Sequence, residues 1–382
     1  MLANFISFPK DDRHNPWLDL LRAFAIFLVL LRHGSRIEVN FPEDGVLHNI
    51  ASNGWVGVDL FFVLSGFLIT KSLVKNGGTR RLAWHGAYFK NRILRIVPAY
   101  YAVLFLCVAG FFPGFFPNTS NAQESLFLHA IFLQDYSGSD INVVFWSLGV
   151  EEKFYLLAPL LVLVLSTAPV FARIGFAALL LCLAPLFRVI EFVSFEGVMS
   201  YDHFFRFLRS PFHMSMEGFI VGIVAALILM KERPWLCQAA KGGMLLGGLI
   251  LLVLLGSHNF YAEIAFHDAF TQPLVIALIF GLITLCAGAL RKSELIFEPF
   301  FRINSRLSYS LYLVHLPLIP LAVALSPNSN SFAFWLFYIG FSYAGAITLH
   351  FLVEKPFLKL KDRATGLQNV HDHFEPAKAV RL

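Results

Sequence analysis

Residues 17–33, WLDLLRAFAIFLVLLRH, decide how this chain is read. With its flanks the run is apolar and long enough to cross a bilayer as a helix, which takes about 20 residues. It nevertheless carries Asp19 and Arg22 near its start and His33 at its end. Eleven positions separate Arg22 from His33. At about 100° per residue that is roughly three turns plus 20°, so both lie on one face, about 16 Å apart along the axis. Ionisable groups in a spanning helix are costly and generally face a bundle interior or a wet cavity. In the competing reading both side chains reach out to the two interfaces. On this helix alone both readings stay open.

Hydrophobic residues make up 57% of the 382 positions and charged residues 14%, with a mean hydropathy of +0.66. Those values exclude an ordinary soluble domain. The 42 phenylalanines suit lipid-facing and helix-packing surfaces. The net charge of +5 does not signal nucleic acid, because the basic residues cluster between apolar runs. Cys107, Cys182, Cys237 and Cys286 fall singly in or beside those runs, with no CxxC spacing. That excludes a readable zinc site and argues against a disulfide framework. Residues 1–16 are polar and basic and lead into a span with no small-residue cleavage site, so the first helix is read as retained.

The fold class is therefore all-α: a polytopic membrane protein of about ten transmembrane helices. The runs lie near 17–35, 55–74, 96–112, 146–165, 172–190, 212–230, 242–257, 271–290, 307–325 and 332–354. A cytoplasmic N-terminus puts Lys10, Arg13, Lys75, Arg80, Arg81, Lys90, Arg92 and Arg95 on the inner side. Later inner segments hold Arg173, Lys231, Arg233, Lys241, Arg291, Lys292, Arg302, Arg306 and the basic residues from Lys355. The outer segments keep little beyond Arg32, Arg36, Arg188, Arg206 and Arg209. Both termini are thus predicted to be cytoplasmic. Residues 1–16 form a cytoplasmic segment, 17–357 the transmembrane domain, and 358–382 a tail whose lack of apolar period predicts disorder. The external segments 36–54, 113–145 and 191–211 are long, whereas 75–95 reads as a basic, partly helical internal connector.

Four further clusters join Arg22 and His33. In GVDLFFVLSGFLIT (57–70), Asp59 and Gly66 share a face, and Ser65 with Gly66 removes bulk where a ligand can approach backbone. Small-residue helix packing explains the same pattern. In KNRILRIVPAYY (90–101), Arg92 and Arg95 are i, i+3 neighbours able to hold one anion, as guanidinium suits phosphate. Taken alone, positive-inside topology is the simpler account of them. In WSLGVEEKFYLLAP (146–159), Glu151 and Tyr155 are i, i+4, while Glu152 points about 100° away; adjacent carboxylates on an apolar helix are hard to explain as packing. In SRLSYSLYLVHLP (305–317), Ser308, Tyr312 and His315 form one polar stripe. Glu354, before Pro356, is a weaker candidate that pairing with a nearby Lys or Arg would explain.

Taken in order, these stretches resemble the acyltransferase 3 family, membrane-bound sugar O-acyltransferases of the surface-polysaccharide O-acetylase type. The resemblance spans residues 15–357 and rests on LDLLRAFAIFLVLLRH, GVDLFFVLSGFLIT, RILR at 92–95, WSLGVEEKFY and SYSLYLVHLP. It implies an acyl-CoA donor, acetyl-CoA by family default, and a carbohydrate or glycolipid acceptor, with no metal. The family's arginine and histidine fall on Arg22 and His33, and its RxxR on Arg92 and Arg95. His33 is then the catalytic base, with Glu151 or Glu152 fixing its imidazole. Arg22, Arg92, Arg95, Ser65 and Gly66 would bind the donor. Asp59, Trp146, Tyr155, Tyr309, Tyr312, His315 and Glu354 would support them. The implied location is the bacterial inner membrane, and the chain is expected to lack the periplasmic hydrolase-like domain some members carry. A secondary transporter would show inverted repeats and paired broken helices, and a polytopic glycosyltransferase a metal-binding Asp-x-Asp; the sequence has neither feature.

Overall fold

The opening run folds into α1 (Pro16–Ser35) for readable local reasons. The Asn15 side chain caps it by accepting from the Trp17 N–H at 3.0 Å, and Pro16 takes a first-turn position where no N–H is needed. The structure, a computed structural model, describes residues 14–37, 45–75, 82–231, 233–260, 264–290, 295–326 and 331–360. Regular structure among the described residues is entirely helical. After α1 come α2 (Val46–Ser52), α3 (Val56–Lys75), α4 (Leu82–Val108), α5 (Ala122–Ala130), α6 (Trp146–Thr167) and α7 (Val170–Ser194). A helical stretch over 201–209 precedes α8 (Glu217–Leu229), α9 (Pro234–Ser257), α10 (Phe266–Phe270) and α11 (Gln272–Ala289). The last described elements are α12 (Glu298–Val314), α13 (Ile319–Leu325) and α14 (Ser331–Leu349), which continues through a π-helical turn at His350–Glu354.

This is an all-α, multi-pass membrane protein. Among the described residues six helices are long and apolar enough to cross a bilayer, and the α12–α13 pair, bent by 83°, makes a seventh if taken as one span. The other three expected runs are charged or short. α1 carries Asp19, Arg22 and Arg32, α6 carries Glu151, Glu152 and Lys153, and α8 has only 13 residues.

Two boundaries differ from the sequence reading. The third run, placed at 96–112 behind a separate connector, is one helix from Leu82 to Val108. Pro98 does not break it, so Arg92 and Arg95 ride on the span itself. The ninth run, read as continuous over 307–325, breaks between Val314 and Ile319. Pro317 removes a backbone donor there and clashes with a continuing helix, which leaves His315 at the corner. Lys10, Arg13, Arg80, Arg81, Arg291, Lys292 and the tail from 361 lie outside the described residues.

α3 is the axis of the bundle, packed against α1, α6, α8 and α11. Its approach to α8 is backbone to backbone. A Cβ on Gly66 would sit 2.2 Å from the Phe219 carbonyl oxygen, and one on Gly222 2.1 Å from that of Val63. Buried ion pairs cross-link the helices and the segments between them. Arg209 grips Asp59 with two bonds of 2.9 and 2.7 Å, Arg188 donates to Glu217, and Lys153 donates to Asp135 at 2.6 Å. Burial pushes the Asp135 carboxyl above its ordinary range, against the pull of the Lys153 ammonium.

Candidate functional site

Two cavities lie along the inner face of α1, and they touch. The first, about 90 Å³, takes Arg22 from α1, Arg92 and Arg95 from α4, Glu151 and Tyr155 from α6, Ser65 from α3, and Ser308 and Tyr309 from α12. The second, about 340 Å³, takes His33 from the far end of α1, with Arg32, Arg36, Arg209, Trp146 and Tyr201. Val58 and Tyr312 line both, so they form the partition. Tyr312 is pinned there. Its hydroxyl donates to the Val144 carbonyl at 2.7 Å and lies 2.6 Å from the Ser147 hydroxyl.

The first cavity is rich in cations. Three guanidiniums face one carboxylate, and among the described residues none of the three forms an ion pair within 4.0 Å. Glu151 accepts the Tyr155 hydroxyl at 2.5 Å. Arg92 stacks over Tyr88 and Tyr155, each 5.8 Å from the ring centroid, and its Nε is buried without a hydrogen-bond partner. Surplus buried cations are costly in a low-dielectric interior unless an anion joins them. Tyr309 bonds to the Ile96 carbonyl at 2.7 Å and so ties α12 to the arginine-bearing helix.

In the second cavity His33 is held at Nδ1, 3.0 Å from the Val29 carbonyl oxygen and 3.2 Å from Nε2 of His315. His315 is fully buried, with its own Nδ1 3.0 Å from the Leu311 carbonyl. Arginine and aromatic groups line this cavity, with Asp202 as its carboxylate: Arg32 and Arg36 lie over Tyr201 at 5.8 and 5.0 Å, and Arg209 lies between Trp55 and Trp146.

Most of the expected site residues gather here, with three reassignments. Glu151 lines the first cavity and His33 the second, so the group at the imidazole is His315 rather than a carboxylate. Glu152 lines neither cavity, and its Oε1 is buried without a hydrogen-bond partner. Gly66 turns to Phe219 on α8, which makes it a packing residue, while the neighbouring Ser65 does face the first cavity. Asp59 serves as the anchor of Arg209, and Trp146 packs on Phe62 and under that guanidinium. Glu354 accepts from Ser310 and from His350 at 2.8 Å each, so its partners are a hydroxyl and an imidazole instead of Lys or Arg. Sequence reading missed Arg209, Arg32, Arg36 and Tyr201, which count in the chain only as external basic and aromatic residues. The signal for Arg209 was Asp59 itself, because a carboxylate in an apolar helix needs a cation.

Similarity to known proteins follows the same residues. A family model described as an acyltransferase domain matches residues 15–351. The Bacillus subtilis protein named "Putative peptidoglycan O-acetyltransferase YrhL" is 28% identical over 372 residues, covering 91% of this chain and 55% of its own length. "Putative O-acetyltransferase SAS0844" of Staphylococcus aureus is 23% identical over 328 residues, 81% of this chain and 51% of the relative. "Putative acetyltransferase ORF330" of Acidianus two-tailed virus is 26% identical over 312 residues, 80% and 84%. The chain thus spans about half the length of the first two relatives. No solved structure matches. The match of that family model over residues 15–351 places this chain in the acyltransferase 3 family.

Proposed function

We propose that the chain is a transmembrane O-acyltransferase that moves an acyl group, acetyl by the names of its relatives, from cytoplasmic acyl-CoA to a hydroxyl of a carbohydrate or glycolipid at the outer face of a bacterial inner membrane. The observation that carries this is the pair of cavities meeting at Val58 and Tyr312, one rich in cations and the other holding His33. The donor's phosphates meet Arg22, Arg92 and Arg95, where charge-assisted bidentate contacts are strongest. Its thioester arm extends past Ser65 toward the partition, with the acceptor hydroxyl entering from the second cavity.

In the reaction the hydroxyl oxygen attacks the thioester carbonyl, a C–O bond forms and the C–S bond breaks. His33 takes the hydroxyl proton as general base, a role that imidazole fills more often than any other side chain. The proton then passes to the departing CoA thiolate, so the products are an ester and CoA. Direct transfer needs no resting place for the acyl group on the protein.

The orientation belongs to the same reading: the α3–α4 connection and both termini on the cytoplasmic side, 113–145 outside. Impermeant thiol labelling of Lys75→Cys from the outside would contradict it, and outside labelling of Asn118→Cys is expected. The activity is tested by mass spectrometry of surface glycans and glycolipids with and without the gene. A new acyl ester that depends on the chain is expected; identical profiles with the protein expressed would contradict acyl transfer.

A further inference from the structure

We infer that His315 is a positioning residue that fixes the tautomer of His33, leaving Nε2 of His33 as the basic atom. This deepens the acyl-transfer reading and rests on it only for its kinetic part. The argument starts with acceptors that cannot change. The carbonyl of Leu311 lies 3.0 Å from Nδ1 of His315, and a carbonyl only accepts, so that Nδ1 carries the hydrogen. A neutral imidazole has one N–H, so Nε2 of His315 is an acceptor. That Nε2 lies 3.2 Å from Nδ1 of His33, which also faces the Val29 carbonyl at 3.0 Å. Two acceptors therefore converge on Nδ1 of His33, which must donate to both. The opposite assignment sets a lone pair against a carbonyl at each residue.

The consequence is chemical. With its proton on Nδ1, neutral His33 presents a lone pair at Nε2, and His33 lines the larger cavity. The His315 ring, fully buried, packs 5.0 Å from that of His33 by centroid. When Nε2 takes a proton, the Nδ1–H is already bonded to an acceptor that helps carry the new charge. In a serine-type triad a carboxylate holds this position; here a neutral imidazole does. The bend between α12 and α13 delivers it, since His315 sits at the end of the helix that lines both cavities.

The test has a spectroscopic and a kinetic arm on purified full-length protein in lipid nanodiscs. Nitrogen-15 NMR of histidine-labelled protein, with the His33 signals assigned by their loss in His33→Gln, reads the tautomer without any substrate. Protonated Nδ1 with unprotonated Nε2 is expected in the neutral form; an Nε2–H tautomer overturns the proposal whatever the enzyme's activity. In the kinetic arm His315→Phe keeps the bulk and removes the acceptor. It should lower kcat about 10²-fold, near the lower end of a general base's contribution, with the KM for acetyl-CoA within about twofold. His315→Gln, which offers an oxygen in place of Nε2, should recover about tenfold of that loss. A wild-type kcat in His315→Phe overturns the proposal, as does equal damage by Phe and Gln with both proteins folded. If the tautomer is as expected but His33→Gln is fully active, His33 is not the general base and the tautomer assignment stands.

Discussion

The two cavities are opposites that share a wall. The smaller gathers three arginines and a single carboxylate in a space of about 90 Å³, whereas the larger, about 340 Å³, offers His33, backed by His315, amid arginines and aromatic rings. One has a surplus of cations over its single carboxylate; the other has a histidine and the larger volume. The two lining sets differ in chemistry and share only Val58 and Tyr312. That difference explains why both ends of α1 are polar, since that helix supplies Arg22 to one cavity and His33 to the other.

The largest expected effect comes from the wall of the larger cavity. Arg209→Met would strand Asp59 in the bundle, and removing one partner of a buried pair costs about 3–5 kcal/mol. Adding Asp59→Asn should recover most of that loss, with thermal unfolding in detergent as the measure. An equally unstable double variant would show that the pair is no unit.

Next comes the small cavity. Arg92→Ala with Arg95→Ala should cost about 1.5–3 kcal/mol of donor binding, roughly 10- to 150-fold in acyl-CoA affinity. Unchanged titration of acetyl-CoA by the folded variant would remove the anion from this cavity. Gly66→Ala sharpens the contrast between Gly66 and Ser65. The added methyl meets the Phe219 carbonyl oxygen, so about 1–3 kcal/mol of stability should be lost. Donor affinity of the folded fraction should hold, and a selective affinity loss would return Gly66 to the donor site.

The smallest effect belongs to the partition. Tyr312→Phe loses the bond to Val144 and the contact with Ser147, worth about 0.5–1.5 kcal/mol of stability. A loss well above that range would mean that Tyr312 does more than hold the wall.

What was legible in the sequence was whatever lies along one helix. The 3.6-residue period places Arg22 and His33 on one face, Arg92 beside Arg95, and Tyr155 beside Glu151. Each of those relations survives in the fold. Relations between helices were not legible: His33 meets His315 across 282 positions and Asp59 meets Arg209 across 150. For that reason a carboxylate, Glu151 or Glu152, was expected at the His33 imidazole, where the imidazole of His315 stands. Gly66 shows a second limit, since close approach of a ligand and close approach of a helix both select glycine.

The most direct test of the division of labour is His33→Gln in reconstituted protein, with acyl transfer and acyl-CoA binding measured on one sample. A general base contributes about 10² to 10⁴ in rate, so turnover should fall by that factor while donor affinity stays at the wild-type value. Transfer by His33→Gln at the wild-type rate, or a donor affinity that falls along with it, would contradict the assignment of base and donor to separate cavities.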